Sequence, residues 1–333
     1  MIHMVNRRNL FIDQARDAAG ASSQKHLCSL RAQTPTELQC RFLLNRIRIM
    51  LVVAVSAFFC IPSSPLCSQE NYEIQVYPSE TQGPGTLLVE LHSNYTIEGS
   101  TTTQFGMLAT QGQEHETVEF TQGINDWSEV GFYVFTEEHN GTGIQWVGDH
   151  IRPRVRVPPS WHWPVGVSLS NEIGYARAAY ANPTWSWQIM PIVDKTIGKW
   201  YGSVNTTMNW GIHPTSLPPG TPQSEMNYYY RDVSPHGVTF GPAVAITYQP
   251  KPAFNFGIEY YGYWGEFGHF VNLHNQQQQF FPVVNLFVSP KWEINFGAGW
   301  GATASTDHLI VKVILGRYFN WGKQKTPISP GVQ

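Results

Sequence analysis

Residues 148–158 read "GDHIRPRVRVP", with Arg152, Arg154 and Arg156 at every second position and Ile151, Val155 and Val157 between and around them. Successive side chains of a strand point to opposite faces, so a strand here has one cationic face and one apolar face. A soluble barrel turns its apolar face inward. A membrane barrel turns it outward to lipid and keeps polar groups in the lumen. Three arginines on the lipid side would each cost about 2–4 kcal/mol at mid-bilayer, so in a membrane barrel they must point inward.

The same alternation recurs along the chain and no helical period of useful length appears past residue 72. In 86–98, Leu87, Val89, Leu91, Tyr95 and Ile97 oppose Glu90, His92, Asn94 and Thr96. Comparable runs occupy 164–178, 236–250, 291–304 and 307–319, and less regular ones 115–125, 127–137, 147–157, 184–194, 198–211, 252–265 and 278–289. Twelve segments, mostly of 10–15 residues, exceed the ordinary strand of about 5–6 and suit a tilted membrane strand of about 9–11. The odd-numbered connections are mostly long. The even ones are mostly short, with "NDWS", "DKTIG", "QPKPA" and "SPKW" marking tight turns, and the last odd connection (305–306) is a short exception. Long loops at one end and short turns at the other predict a closed antiparallel up-and-down transmembrane β-barrel, all-β, with an apolar exterior and a polar lumen. A soluble exported β-sandwich is the alternative fold, which the strand lengths disfavour.

Composition agrees with an exterior not wholly in water. Charged residues are 14% and aromatics also 14%, and the formal charge of −3 excludes a nucleic-acid partner. Cys28, Cys40, Cys60 and Cys67 all precede residue 68, so no disulfide framework or thiolate metal site exists beyond it. Arg46 and Arg48 precede the short apolar run "IMLVVAVSAFFCI", which reads as a secretory signal peptide cleaved near residues 67–70. The resulting division is a disordered leader or misassigned start (1–45), a signal peptide (46–69), a periplasmic segment (70–85), the barrel (86–319) and a tail (320–333).

The expected lumen carries mixed charge: Arg152, Arg154, Arg156 and Lys312 against Glu90, Glu119, Glu172, Glu259 and Glu293, with His92 on the same polar face as Glu90. Trp127, Trp146, Trp163, Trp185, Trp200, Trp210, Trp292 and Trp321 fall near strand ends, where interfacial girdles form.

The stretches "ETVEFTQGINDWSEVGFYVF", "GDHIRPRVRVP", "WPVGVSLSNEIGY", "IGKWYGSVN", "GIEYYG" and "STDHLIVKVILGRYF" together resemble a family of bacterial outer-membrane barrels labelled for the meta-pathway of phenol degradation. The resemblance covers about residues 72–320. It implies an exported barrel that passes small, aromatic compounds, with no residue-level mechanism to carry over. One departure is that Tyr318 and Phe319 are followed by "NWGKQKTPISPGVQ", where many such barrels end on an aromatic residue read during assembly.

Other features are weaker. His92 and Ser93 beside Glu90 fall on opposite strand faces, which disfavours catalysis. Asp149–His150 and Asp307–His308 read as strand-end residues. The 12 histidines show no HExxH-like spacing, and nothing points to a metal or cofactor. The loop 212–235, with Tyr228, Tyr229 and Tyr230, reads as a surface loop or as a constriction at the mouth. The expected function is a channel or passive transporter for small solutes in the bacterial outer membrane, with outer-membrane lipid and the barrel-assembly machinery as partners. A structural barrel with a salt-bridged, closed lumen is the alternative, and a lipid-modifying hydrolase or acyltransferase is third.

Overall fold

The computed structural model describes residues 71–139, 141–212, 217, 221–229 and 236–320. The leader, the signal peptide and the tail beyond Asn320 lie outside the described residues. Fourteen strands follow in chain order: β1 (Thr86–Glu98), β2 (Gln113–Asn125), β3 (Ser128–His139), β4 (Gln145–Arg156), β5 (Gly166–Ala176), β6 (Trp185–Ile197), β7 (Trp200–Gly211), β8 (Thr239–Lys251), β9 (Phe254–Tyr263), the two-residue β10 (Gly265–Glu266) and β11 (His269–Phe270), then β12 (Gln277–Ser289), β13 (Trp292–Gly301) and β14 (Leu309–Asn320). Twelve of them form the wall, each antiparallel to both neighbours, and β1 pairs with β14 to close the ring. The β10–β11 hairpin extends β8. Closure leaves no unpaired edge in the wall, so strand backbone groups need no water.

The two faces differ as the alternation requires. On β1, Glu90, His92, Asn94 and Thr96 are buried, while Leu91, Tyr95 and Ile97 are exposed. On β4, Arg152 and Arg154 are buried and Ile151 and Val155 exposed; on β14, Lys312 is buried between exposed Val313 and its outward neighbours. Phe120, Leu169, Ile173, Val193, Val204, Ile246, Ile258, Val284 and Phe296 continue the apolar exterior around the ring. A continuous apolar belt over polar interior faces is the inverse of a soluble barrel, and it is stable only in lipid. Exposed Trp127, Trp161, Trp163 and Trp200 lie toward one end, and Trp146, Trp185, Trp187 and Trp300 toward the other. These positions suit headgroup contact on both sides of the hydrocarbon.

Tight turns at 126–127, 198–199, 252–253 and 290–291 mark one end, with a longer 157–165 connection among them. The other end carries connections 99–112, 140–144, 177–184, 212–238, 264–276 and 302–308. The last is longer than the two residues expected from the sequence. Its polar side chains bond to the neighbouring connections, with Thr303 donating to the Gln276 carbonyl at 2.6 Å and Asp307 accepting from Thr110 at 2.6 Å.

Residues 71–82 depart most from expectation. Placed in the periplasm by sequence, they run inside the barrel. An extended chain has a donor and an acceptor at each residue that must be met when buried, and lumen side chains meet them. Asn94 donates to the Asn71 carbonyl (2.9 Å), Thr117 to that of Tyr72 (2.8 Å), Lys312 to that of Ile74 (2.8 Å) and Ser203 to that of Tyr77 (2.8 Å). The Tyr77 amide donates to Asn205 (2.7 Å) and the Ser79 amide to Asp194 (2.8 Å). Ile74 packs with Tyr261, Phe281, Val283 and Ile310, and Tyr77 with Met190 and Ile192, into small apolar clusters within a largely polar lumen. Asn71 lies toward the long-loop end, bonded to Asp307, and Gln82 lies toward the short-turn end, bonded to Glu129. A turn closed by the Thr86 amide on the Gly83 carbonyl then feeds β1.

Candidate functional site

The lumen is built from the inward positions of consecutive strands. Because β3 and β4 pair Glu129 with Arg154, the two side chains meet at 2.6 Å on the inner face. Arg152, two residues earlier, reaches Glu119 of β2 at 2.6 Å and stands 3.9 Å from Glu129. Its guanidinium also lies over the Tyr77 ring (4.3 Å) and the Tyr133 ring (5.0 Å), stacking that guanidinium planes favour. Across the lumen, Lys312 of β14 meets Glu259 of β9 at 2.5 Å and Tyr261 at 3.3 Å. His150 and Glu172 form a buried pair on β4 and β5. Such pairs add little over an apolar core, but removing one partner from a buried pair costs about 3–5 kcal/mol.

The inner segment is tied into this network. Arg154 donates to the Pro78 carbonyl (3.0 Å) and the Glu80 carbonyl (2.8 Å), and Arg156 pairs with the Glu80 carboxylate at 3.5 Å. Thus all three arginines of the ladder face carboxylates. At the long-loop end burial raises the Asp307 pKa, opposed by the hydrogen bonds from Thr110 and Asn71.

Three cavities flank the segment. One of about 260 Å³ in the long-loop half is lined by Tyr72, Tyr77, His150, Glu172, Tyr180 and Tyr261, among others. One of about 470 Å³ at the short-turn end is lined by Glu80, Arg156, His162, Asp194, Lys195 and Tyr201. A smaller one of about 100 Å³ lies between Gln75 and the wall at Glu259, Asn285 and Glu293. Residues of the inner segment contribute to each, so the segment partitions the lumen.

The structure brings Glu90, His92, Glu119, Arg152, Arg154, Glu172, Glu259 and Lys312 into the interior as buried side chains. Glu293 accepts from the Tyr318 hydroxyl at 2.5 Å. The loop tyrosines are only partly visible. The side chains of Tyr228 and Tyr230 lie outside the described residues, whereas Tyr229, at the end of a short helix (Gln223–Tyr228), is buried against Phe105 and Leu217. Ser93 donates to Glu116 at 2.8 Å on the outer face while His92 lies inside, so no nucleophile–base contact forms between them. Asp149 and His150 also separate: the Trp146 indole donates to Asp149 at 3.3 Å, whereas His150 belongs to the lumen. Sequence reasoning passed over Asp194, Ser203, Asn205 and Tyr133. Their partners lie on the inner segment, whose one local signal is the alternation of Tyr72, Ile74 and Val76 with Glu73, Gln75 and Tyr77.

No family model matches the chain, including any for the phenol-degradation label, and no curated protein matches it. Among solved structures it is similar to an outer-membrane channel from Pseudomonas putida F1, at 10% identity and TM-score 0.49 over 74% of this chain and 100% of that one. It is also similar to the NanC porin, at 8% identity and TM-score 0.47 over 70% and 99%, and to the KdgM porin, at 5% identity and TM-score 0.46 over 70% and 99%. The fold is established by the strand register and closure rather than by these scores.

Proposed function

We propose that this chain is a bacterial outer-membrane channel for small solutes, exported by its signal peptide and inserted by the barrel-assembly machinery. In the state described, its own residues 71–82 narrow it. The observation that carries this reading is the pairing of a lipid-type exterior with a largely polar lumen that keeps cavities beside a single strand of chain toward both ends. That segment is covalently continuous with the wall through Thr86 and is otherwise held by hydrogen bonds, ion pairs and small apolar clusters at Tyr72, Ile74 and Tyr77. The tyrosines around the upper cavity favour flat, aromatic solutes with polar edges. Arg152 and Arg154 facing Glu119 and Glu129 would set a field across the lumen and select by charge. Reconstitution into planar bilayers is expected to give discrete conductance, with ion selectivity shifted by Arg154→Gln. A silent bilayer together with no solute uptake in liposomes would remove the proposal.

A second reading is a closed barrel that anchors its long loops. It is favoured by one specific observation, that Arg152, Arg154 and Arg156 all pair with carboxylates. The same recordings separate the two, since an anchoring barrel passes no current at any voltage.

A further inference from the structure

Strand β1 places Glu90 and His92 two residues apart on the lumen face, and the β1–β2 register sets Glu119 directly opposite Glu90. All three are buried, at 2%, 0% and 1% exposure, and one ligand atom from each lies within 4.8 Å of the others. Two carboxylates facing each other across a strand pair repel, more so when buried. Arg152 holds only one Glu119 oxygen, Oε1, at 2.6 Å. A third carboxylate joins them. On β14 the residue between Glu90 and Glu293 is Gly316, paired with both. With no side chain there, the Glu293 stem lies over the gap, 2.6 Å from where a Cβ would stand, covering the inner face of the position that pairs with Glu90. Three carboxyl groups thus share this stretch of the wall with one guanidinium, Arg152.

Neither ring nitrogen of His92 has a hydrogen-bond partner, nor does Glu119 Oε2. His92 Nε2 is 3.6 Å from that oxygen, beyond hydrogen-bond range. A buried imidazole with no hydrogen bond, 3.6 Å from a carboxylate oxygen that also has none, is a pair of metal ligands at the spacing an ion would bridge. We propose that Glu90, His92 and Glu119 bind a divalent transition-metal cation, zinc or manganese in chemical class, inside the barrel wall. An imidazole with two carboxylates suits these ions, whereas calcium and magnesium favour all-oxygen sets. Gln75 of the inner segment donates to Glu90 at 3.4 Å, so the ion sits one contact from the chain that fills the lumen.

The test is metal binding by the full mature barrel in detergent, stripped with EDTA and dialysed against ZnCl₂ or, separately, MnCl₂, with bound metal measured by mass spectrometry. One ion per barrel is expected, and E90Q and H92A should each weaken binding at least tenfold. E172Q, which removes a buried carboxylate of the His150 pair, should leave binding unchanged. Each variant's fold is checked by its heat-modifiable gel mobility. No stoichiometric zinc or manganese in the parent barrel would overturn the site, as would retention by H92A or loss in E172Q equal to that in E90Q. Cobalt loading of the unmodified barrel needs no variant. A visible d–d band that zinc abolishes is expected, and its absence counts against the site.

Discussion

Deleting residues 71–82 from the full chain tests whether the inner segment is the barrier. Twelve wall strands about 4.8 Å apart, tilted about 40°, enclose a ring about 24 Å across from backbone to backbone. Facing sheets pack about 10 Å apart, so each wall's side chains fill about 5 Å and leave a lumen about 14 Å wide. An extended chain with its own side chains takes about 10 Å of that, so about 4 Å remains, room for water and little else. At about 3.3 Å per residue, the twelve residues reach about 40 Å, enough to occlude the full depth of the membrane band of about 25 Å. A gap about 4 Å wide passes an ion only by stripping much of its hydration, so removing the segment should raise single-channel conductance severalfold and admit solutes of several ångströms to liposomes. The assay is planar-bilayer recording on parent and deleted barrels of matched heat-modifiability. A folded deleted barrel with conductance within twofold of the parent refutes the reasoning, because the residual lumen would then owe its width to something else.

Other perturbations follow from the same contacts. Arg154→Gln leaves Glu129 without its main cation and loses two carbonyl bonds to the inner segment. The barrel should lose about 3–5 kcal/mol, seen as a lower temperature of gel-shift unfolding; an unchanged temperature would mean that water replaces the guanidinium at no cost. For Lys312 and Glu259, the Lys312→Met and Glu259→Gln single variants should each destabilise more than the double variant, because each single change strands a buried group. Additive losses in that cycle would contradict a direct pair. Asp307→Ala removes the acceptor that Thr110 and Asn71 share, each at 2.6 Å, which should cost about 1–3 kcal/mol locally and increase proteolysis within residues 99–112. Protection equal to the parent's would show that the loop is held elsewhere.

The strand faces were legible in the sequence because alternation is a local property of the backbone. Arg152 and Ile151 must diverge whatever lies around them, and lipid on one side decides which diverges where. Strand limits followed for the same reason: the expected 86–98 coincides with Thr86–Glu98, and 307–319 lies within two residues of Leu309–Asn320. The sequence also marked Glu90, His92, Glu119, Arg152 and Lys312 as sharing polar faces. Tertiary structure alone decided who meets whom. That Arg154 takes Glu129 depends on the β3–β4 register, and that Lys312 takes Glu259 depends on the curvature that brings β14 across from β9. Ring closure sets a fixed interior volume, and "NYEIQVYPSE" fills it because its backbone groups find partners there, including Asn205, 128 positions from Tyr77. No local pattern records a distance across a lumen, so the contents of the barrel become visible only once its wall has closed.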